Sequence, residues 1–331
     1  MDNPIYSYLK EVLAANRVSD FHIHAGQPVA CRVHGGIASY SNMPVQQADL
    51  EALFQNELDE EQYEHFDKTG DIDFALVSDG VRFRASGLKT MSGWALVLRV
   101  IVTEIPNIEA LGLPPAVHQV LELTSGLVLV TGATGSGKST SLAAMIDKIN
   151  RTRSEHIITV EDPIEFVHKP IKSVISQREV GKDTKSFASA LKGALRQDPD
   201  IILMGEMRDY ETVSMGMTAA ETGHLVFGTL HTNGAAETVN RIVDVFPPEE
   251  QAKARSQLSQ SLRLVMTQQL LKRKGGGRVG CFEVMVNTPA VANLIREDKI
   301  VQIPNVMQTG AQHGMVTMGK YREFLESQHL I

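Results

Sequence analysis

The spacing of apolar residues changes about a third of the way along the chain. In the first part, apolar and polar residues alternate in short segments, a pattern typical of strands with one buried face. These predicted strands are residues 20–24, 29–33, 72–77 and 81–87, and helical spacing predicts helices over residues 5–16 and 47–66. A turn is expected at Gly35 and Gly36. The pattern therefore predicts a small α+β domain over residues 1–102.

Residues 103–115 carry several prolines and have no apolar periodicity. Pro106, Pro114 and Pro115 lie on either side of Gly112 in this segment, as expected for a linker. Because Pro115 suits the first turn of a helix, we expect a helix to begin there and to end before Gly126.

From Leu127 onward, the apolar runs no longer alternate with polar residues. Short apolar runs of this kind indicate strands that are buried on both faces of a parallel sheet. They occur at residues 127–130, 157–160, 201–204 and 225–227, with helical segments at 139–149 and 186–195 between them. The pattern predicts an α/β core over residues 116–248. A mainly helical region, interrupted by a hairpin near residues 275–277, is expected over residues 249–331.

The composition is ordinary for a soluble globular protein. Of 331 residues, 43% are hydrophobic and 21% charged, and the net charge of −7 argues against a dedicated nucleic-acid binder. The two cysteines, Cys31 and Cys281, cannot form a tetracysteine zinc site. The N-terminus has no signal-peptide pattern and no segment approaches the roughly 20 apolar residues of a membrane span, so we expect a cytoplasmic protein.

The strongest motif is GATGSGKS at residues 132–139, which fits the phosphate-binding pattern G-x-x-x-x-G-K-[ST]. It lies between a predicted strand and a predicted helix. Glycines allow backbone N–H groups to point at phosphate oxygens, and the helix N-terminus adds partial positive charge. Lys138 would bind the β- and γ-phosphates of ATP, and Ser139 would join the Mg²⁺ shell. The residues expected to contact nucleotide are Gly132, Ala133, Thr134, Gly135, Ser136, Gly137, Lys138, Ser139 and Thr140.

Acidic residues follow two of the predicted strands. Glu161 and Asp162 come directly after one strand, and Glu206 follows another after Gly205. Because the carboxyl ends of parallel strands face the ligand crevice, these groups can reach the phosphates and Mg²⁺. One carboxylate would activate water while another holds the metal. Gly205 stands where the usual aspartate would be, so the division of roles between Glu161 and Glu206 stays open. The alternative for Glu161 and Asp162 is that they cap a loop.

Histidines and arginines supply further candidates. His224 and His231 flank another predicted strand and either form structural hydrogen bonds or sense the γ-phosphate. Arginine stabilises the charge that develops during phosphoryl transfer, although a solvated or ion-paired arginine is the alternative at each position. The arginine candidates are Arg82, Arg84, Arg99, Arg196 and Arg208.

Taken together, these motifs resemble the secretion-type ATPases, and within them the twitching-motility (PilT-like) retraction ATPases of type IV pili. The matching blocks are residues 132–140, IITVEDPIEFVH (157–168), ALRQDPDIILMGEMRD (194–209), AAETGHLVFGTLHTN (219–233), PAVANLIRED (289–298) and SDFHIHAGQPVACRVHG (19–35). The resemblance covers nearly the whole chain and implies a RecA-like P-loop core preceded by a PAS-like domain.

The resemblance also implies roles for the candidate residues. Glu161 would be the general base and Glu206 the Walker B acid, with His224 and His231 near the γ-phosphate. ATP would bind between the N-terminal domain of one subunit and the RecA-like core of another. Arg82 and Arg84 would then act across that interface, with Arg99, Arg208 and Asp162 as further nucleotide contacts.

The implied function is a homohexameric motor that retracts a pilus. Its expected partner is the inner-membrane platform protein of the pilus, which would hold the motor peripherally at the membrane. A related conjugation or secretion ATPase is the alternative, and residues 289–298 favour retraction. A nucleic-acid translocase is a third candidate, but the only compact basic cluster is at residues 272–274 and aromatic residues make up 5% of the chain. No nucleic-acid partner is therefore expected.

Overall fold

The chain forms two compact units, Met1–Glu104 and Ile105–Ile331, each built around its own sheet. The computed structural model describes residues 3–15, 18–33, 36–101 and 105–331. The predicted helix end at Asn16, the turn residue Gly35 and the linker start at residues 103–104 lie outside the described residues. Among the described helices, none has the length and apolar character needed to cross a membrane.

The first unit is a six-stranded antiparallel sheet with three helices. Its strands lie in the order β3-β2-β1-β6-β5-β4. The elements are α1 (Pro4–Ala15), β1 (Val18–His24), β2 (Pro28–Val33), β3 (Gly36–Pro44), α2 (Gln47–Glu57), α3 (Glu60–Thr69), β4 (Asp71–Ser78), β5 (Val81–Thr90) and β6 (Gly93–Ile101).

Two helices replace the single helix predicted over residues 47–66. Leu58 is extended, and the side chain of Asp59 accepts a hydrogen bond from the backbone N–H of Gln62, which caps α3. The aromatic residues of these helices then meet the only tryptophan of the chain. The ring centroids of Phe54 and Phe66 lie 5.3 and 5.0 Å from that of Trp94.

The second unit is a seven-stranded sheet in the order β13-β12-β7-β11-β10-β8-β9. All neighbouring strands are parallel except β12 and β13, which form an antiparallel hairpin. Its elements are α4 (Pro115–Val120), β7 (Gly126–Thr131), α5 (Lys138–Thr152), β8 (His156–Glu161), β9 (Val174–Glu179), α6 (Phe187–Ala194), β10 (Ile201–Met204), α7 (Tyr210–Glu221), β11 (Leu225–Leu230), α8 (Ala235–Asp244), α9 (Gln251–Ser261), β12 (Leu262–Lys272), β13 (Arg278–Val286), α10 (Pro289–Arg296), α11 (Ile303–Thr309) and α12 (Met318–Ser327).

The central strands of this sheet are buried on both faces, as their apolar runs predict. Every residue of β7, β10 and β11 is buried. Successive side chains point to opposite faces, so Leu127 and Leu129 pack in one apolar cluster while Val128 and Val130 pack in the other. The predicted α/β class is therefore confirmed.

The region after residue 248 is less purely helical than its pattern indicates. Helices α9 to α12 lie there, but the hairpin strands β12 and β13 are long and extend the same sheet as β7. Leu264 and Met266 of β12 pack in the apolar cluster that contains Val128. This pairing places residues 249–331 in the same compact unit as the strands before them.

Candidate active site

The candidate residues of the second unit converge because four neighbouring parallel strands end at one edge of the sheet. Thr131, the last residue of β7, pairs with Leu230 at the end of β11. Met204 at the end of β10 pairs with Val160 of β8. The residues that follow these strand ends therefore lie side by side, which brings together the phosphate loop, Glu161, Glu206 and His231.

The phosphate loop has the backbone conformation that its glycines allow. Gly132, Gly135 and Gly137 have φ values of 138°, 76° and 91°, in the region that residues with a side chain rarely adopt. At Gly132 a Cβ atom would also lie only 2.3 Å from the backbone carbonyl oxygen of Gln268. The loop can therefore take this path only with glycine at residue 132.

Lys138 is held against the loop it belongs to. Its Nζ donates hydrogen bonds to the carbonyl oxygens of Gly132 (2.7 Å) and Ala133 (3.1 Å). Burial lowers the pKa of Lys138, and the carboxylates of Glu206 and Glu165 oppose this effect. The ammonium group is thus positioned beside the N-terminus of α5, where two sources of positive charge favour a phosphate.

Glu206 is the centre of a charged cluster. Its Oε2 lies 2.6 Å from Arg208 Nη2, and its Oε1 lies 3.3 Å from His231 Nε2. Burial by itself would raise the pKa of Glu206, but Arg208 and His231 outweigh it and hold that pKa below its usual value. Glu206 is therefore an ionised carboxylate at neutral pH, suited to a cation.

Glu161 lies in a different environment. Its Oε1 accepts hydrogen bonds from Thr159 Oγ1 (2.7 Å) and from Gln177 Nε2 (3.3 Å). Burial raises the pKa of Glu161, and the nearby charge of Glu165 adds to the rise, while hydrogen bonds from Thr159, Gln177 and the backbone N–H of Glu165 oppose it. A carboxylate with a raised pKa is a better proton acceptor than one held by cations.

These groups surround a cavity of about 420 Å³, within the usual range for small-molecule sites. It is lined by Thr134, Gly135, Gly137, Lys138, Ser139, Thr140, Glu161, Asp162, Pro163, Glu165, Phe187, Gly205, Glu206, Arg208, Thr229, His231, Leu270 and Arg278. Hard oxygen donors, the Ser139 hydroxyl and the Glu206 carboxylate, fit Mg²⁺, which takes few protein ligands when phosphates supply the others. The arrangement suits phosphoryl transfer from a nucleotide.

The lining includes residues that the motifs do not predict. Leu270 and Arg278 come from the β12–β13 hairpin, which pairs with β7. Gln268 of β12 contacts the helix that follows the loop, because its Oε1 accepts a hydrogen bond from Ser141 Oγ of α5 at 2.7 Å. The sequence predicts a hairpin near residues 275–277 and shows a basic cluster at residues 272–274, but neither feature identifies these contacts.

His224 is not brought into this cavity. It precedes β11, whereas His231 follows it, so the length of the strand separates the two side chains. The His224 Nδ1–H donates to the carbonyl oxygen of Ala219 at 3.0 Å, which is the structural alternative considered for this residue.

Of the remaining arginine candidates, Arg196 is exposed in the second unit and does not line the cavity, and the other three belong to the first unit. Arg82 and Arg84 lie on β5, and Arg99 lies on β6. Arg99 Nε is 2.8 Å from Asp20 Oδ1, while Arg84 Nη2 is 3.7 Å from a carboxylate oxygen of Asp73. Arg99 therefore has the closer anionic partner of the two.

Comparison with known proteins yields consistent matches. The family described as type II/IV secretion system protein matches residues 64–323. The type IV pilus retraction ATPase PilT of Pseudomonas aeruginosa is 48% identical, over 96% of this chain and 93% of that protein. A twitching motility protein of Neisseria gonorrhoeae is 49% identical, over 91% of this chain and 81% of that protein. The crystal structure of the pilus retraction motor PilT with bound ADP superposes with a TM-score of 0.92 at 46% identity, covering 99% of this chain and 94% of that one.

Proposed function

The chain belongs to the type II/IV secretion system protein family, and on that premise we infer that it is an ATP-hydrolysing motor that powers retraction of type IV pili in twitching motility. The observation that carries this inference is the near full-length similarity to a retraction ATPase, together with a phosphate loop and two carboxylates at one sheet edge. A shared P-loop core alone would support only nucleotide hydrolysis, whereas similarity over both units favours the same mechanical task.

We propose that the cavity binds ATP with Mg²⁺. Residues 132–140 would surround the phosphates, with Lys138 at the β- and γ-phosphates and Asp162 and Arg208 as further contacts. The Ser139 hydroxyl and Glu206 would hold the metal. When bound, Mg²⁺ neutralises charge that develops on the phosphate oxygens.

The different environments of the two glutamates favour a division of labour. Glu206 is ion-paired and stays ionised, which suits a metal-directed carboxylate. Glu161 has a raised pKa and hydrogen-bond donors on one oxygen, which suits a group that takes a proton from the attacking water. His231 contacts Glu206 and is proposed to respond to the γ-phosphate. His224 receives no role in this assignment, because it lies at the other end of β11.

The assembly and its partners are also proposals. We propose a homohexamer in the cytoplasm that acts at the inner-membrane base of the pilus and transmits force to the platform protein there. Arg82, Arg84 and Arg99 are proposed to contact nucleotide bound by a neighbouring subunit. Mixing Lys138→Ala subunits with Arg84→Ala subunits tests this. An arginine supplied in trans restores hydrolysis where an intact phosphate loop meets the Arg84 of a Lys138→Ala neighbour, whereas an arginine that acts in cis restores none.

Deletion of the gene in its own organism tests the function. A retraction motor is required to shorten pili but not to build them, so cells lacking it should keep surface pili and lose twitching. Restoration by the wild-type gene, but not by a Lys138→Ala variant, would tie that phenotype to ATP hydrolysis. Loss of protein export with normal twitching would instead identify the related secretion role.

A further inference from the structure

We propose that Thr159 and Gln177 are positioning residues for Glu161, holding one of its carboxylate oxygens so that the other serves the attacking water. This inference rests on the proposed ATPase function. It concerns the residues that prepare the general base, none of which lies in the phosphate loop.

Thr159 reaches Glu161 because both belong to β8. They are two residues apart, so their side chains share one face of the strand. Thr159 is completely buried between the neighbouring strands β9 and β10, which pair with it through Gln177 and Leu203. A β-branched side chain in such a site has a restricted χ1 angle, so its hydroxyl is fixed at 2.7 Å from Glu161 Oε1.

Gln177 reaches the same oxygen from the neighbouring strand. Its Nε2 donates to Glu161 Oε1 at 3.3 Å and to the Phe166 carbonyl oxygen at 2.9 Å. Its Oε1 accepts from the backbone N–H of His168 at 2.8 Å. These three partners determine the orientation of the amide, because a flipped amide would place oxygen against two acceptors. The side chain therefore ties the segment after Glu161 to β9 while holding the carboxylate.

Both bonds end on the same carboxylate oxygen. Oε1 of Glu161 accepts from both Thr159 and Gln177, so these two side chains leave Oε2 with capacity for a hydrogen bond from water, although the backbone N–H of Glu165 also donates to this carboxylate. Since the side chain lines the cavity, a fixed rotation of the carboxylate determines where that water sits relative to the γ-phosphate. A carboxylate free to rotate would lose that alignment without any change in how ATP is bound.

The test compares Thr159→Val, which keeps the shape but loses the hydroxyl, with Thr159→Ser, which keeps the hydroxyl. We expect Thr159→Val to lower kcat by about 10-fold or more, the effect of losing a hydrogen bond to a charged group, with KM within about 3-fold of wild type. Thr159→Ser should return kcat to within about 3-fold of wild type. Gln177 lies on the more exposed edge strand. If Thr159→Val folds poorly, Gln177→Met is the second test, and it should show the same loss of kcat.

Ser173→Ala is the matched control. Ser173 is also buried, and its Oγ donates to the Arg153 carbonyl oxygen at 2.8 Å. It lies just before the first residue of β9, whereas the cavity lies where the strands end. It should keep kcat while showing a similar loss of thermal stability. Unchanged kcat in both Thr159→Val and Gln177→Met, or a loss that Thr159→Ser does not restore, would overturn the positioning role alone. If the Glu161→Gln variant hydrolyses ATP at the wild-type rate, both this positioning role and the assignment of Glu161 as the general base are wrong.

Discussion

Arg208 places its Nη2 2.6 Å from the Oε2 of Glu206, two residues earlier on the loop that follows β10. The carboxylate side chain is 17% exposed and the guanidinium side chain 69% exposed, so the cation covers a carboxylate that is otherwise withdrawn from solvent. A bound metal would compete with Arg208 for this carboxylate, and the phosphates of a bound nucleotide would compete with the carboxylate for Arg208. The pair therefore links the charge state of Glu206 to occupation of the site.

Replacing Arg208 with Gln should lower ATP hydrolysis with little effect on folding. The pair is exposed on the arginine side, so its contribution to stability is at most about 1 kcal/mol. Loss of a cation beside the phosphates should lower kcat/KM by about 10-fold or more. Steady-state kinetics and thermal unfolding check both parts. Arg196→Gln, an exposed arginine outside the cavity lining, is the control, and equal losses in the two variants would contradict a specific role for Arg208.

Replacing Lys138 with Ala should abolish turnover but keep the fold. The lysine charge serves the phosphates, so hydrolysis should fall by about 100-fold or more. Lys138 is buried rather than exposed, and its removal takes a hydrogen-bond donor from the carbonyls of Gly132 and Ala133, of which Ala133 keeps the backbone N–H of Ser136. We therefore expect a stability loss of about 1–3 kcal/mol, with an unchanged circular dichroism spectrum. Lys148→Ala on the same helix is the control, and near-normal hydrolysis by Lys138→Ala would refute the assignment.

The substitutions Glu161→Gln and Glu206→Gln should both impair hydrolysis while nucleotide binding survives. Removing a general base lowers kcat by about 10²–10⁴-fold. The two variants should differ in metal dependence, because only Glu206→Gln removes a proposed metal-directed charge and should raise the Mg²⁺ concentration needed for half-maximal activity. Nucleotide affinity, kcat and Mg²⁺ titrations measure these effects, with the exposed Glu221→Gln as control. A wild-type rate in either variant would remove that residue from the mechanism.

A local motif and the geometry of parallel sheets explain the parts of the site that the sequence predicts correctly. The phosphate loop follows from a motif between a strand and a helix, and the meeting of Glu161, Glu206 and His231 follows from the rule that parallel strands end at one edge. The family expected from the motifs and the α/β class are both confirmed. His224 was grouped with His231 by the same motif, but the strand between them carries the two side chains to opposite edges.

Contacts between distant parts of the chain could not be predicted in the same way. Gln268 and Arg278 reach the site only because β12 pairs with β7 in one register, and no local spacing encodes that pairing. Gln177 likewise reaches Glu161 through the β8–β9 register, in which it lies opposite Thr159. Apolar periodicity also failed to separate α2 from α3, since the break depends on the capping hydrogen bond of Asp59.

His168 should make the folded protein less stable in mild acid. The side chain is 6% exposed, and burial lowers its pKa from 6.5 to about 4, although the charge of Asp147 opposes the shift. As pH falls below 6.5, the unfolded chain binds a proton that the folded chain does not, so stability is complete above 6.5 and declines toward pH 4. Titration of His168 should lower the free energy of unfolding by about 2 kcal/mol near pH 5.

Thermal unfolding of wild type and His168→Gln at about pH 7.5 and about pH 5 measures this contribution. The unfolding midpoint of the wild type should fall more between the two pH values than that of the variant. The backbone N–H of His168, which donates to Gln177, is kept in both proteins. Parallel midpoints would show that the buried imidazole does not titrate as described.

Substitutions on the exposed side of α10 should separate hydrolysis from retraction. Ile295 is fully buried in an apolar cluster that also contains Leu127 and Val265 of the sheet. Ile295→Ala should therefore lower the free energy of unfolding by about 2–5 kcal/mol and impair both hydrolysis and retraction. Asn293 and Arg296 are exposed instead, and Arg296 Nη2 lies 3.3 Å from Asn293 Oδ1. They contribute no group to the cavity, which makes them suited to contact a partner or a neighbouring subunit.

The double variant Asn293→Ala with Arg296→Ala should therefore keep wild-type stability and most of its ATP hydrolysis but lose pilus retraction. Exposed polar residues at these positions contribute within about 0.5 kcal/mol to folding, so the thermal midpoint should stay close to that of the wild type. Hydrolysis by the purified protein and retraction in cells are measured separately, with Ile295→Ala as the destabilised control. If hydrolysis and retraction fall together in the double variant, or if retraction continues, the exposed face of α10 does not couple the motor to the pilus. If hydrolysis survives while pili stay extended, that face transmits the work of the ATPase, because stability and chemistry have both been kept.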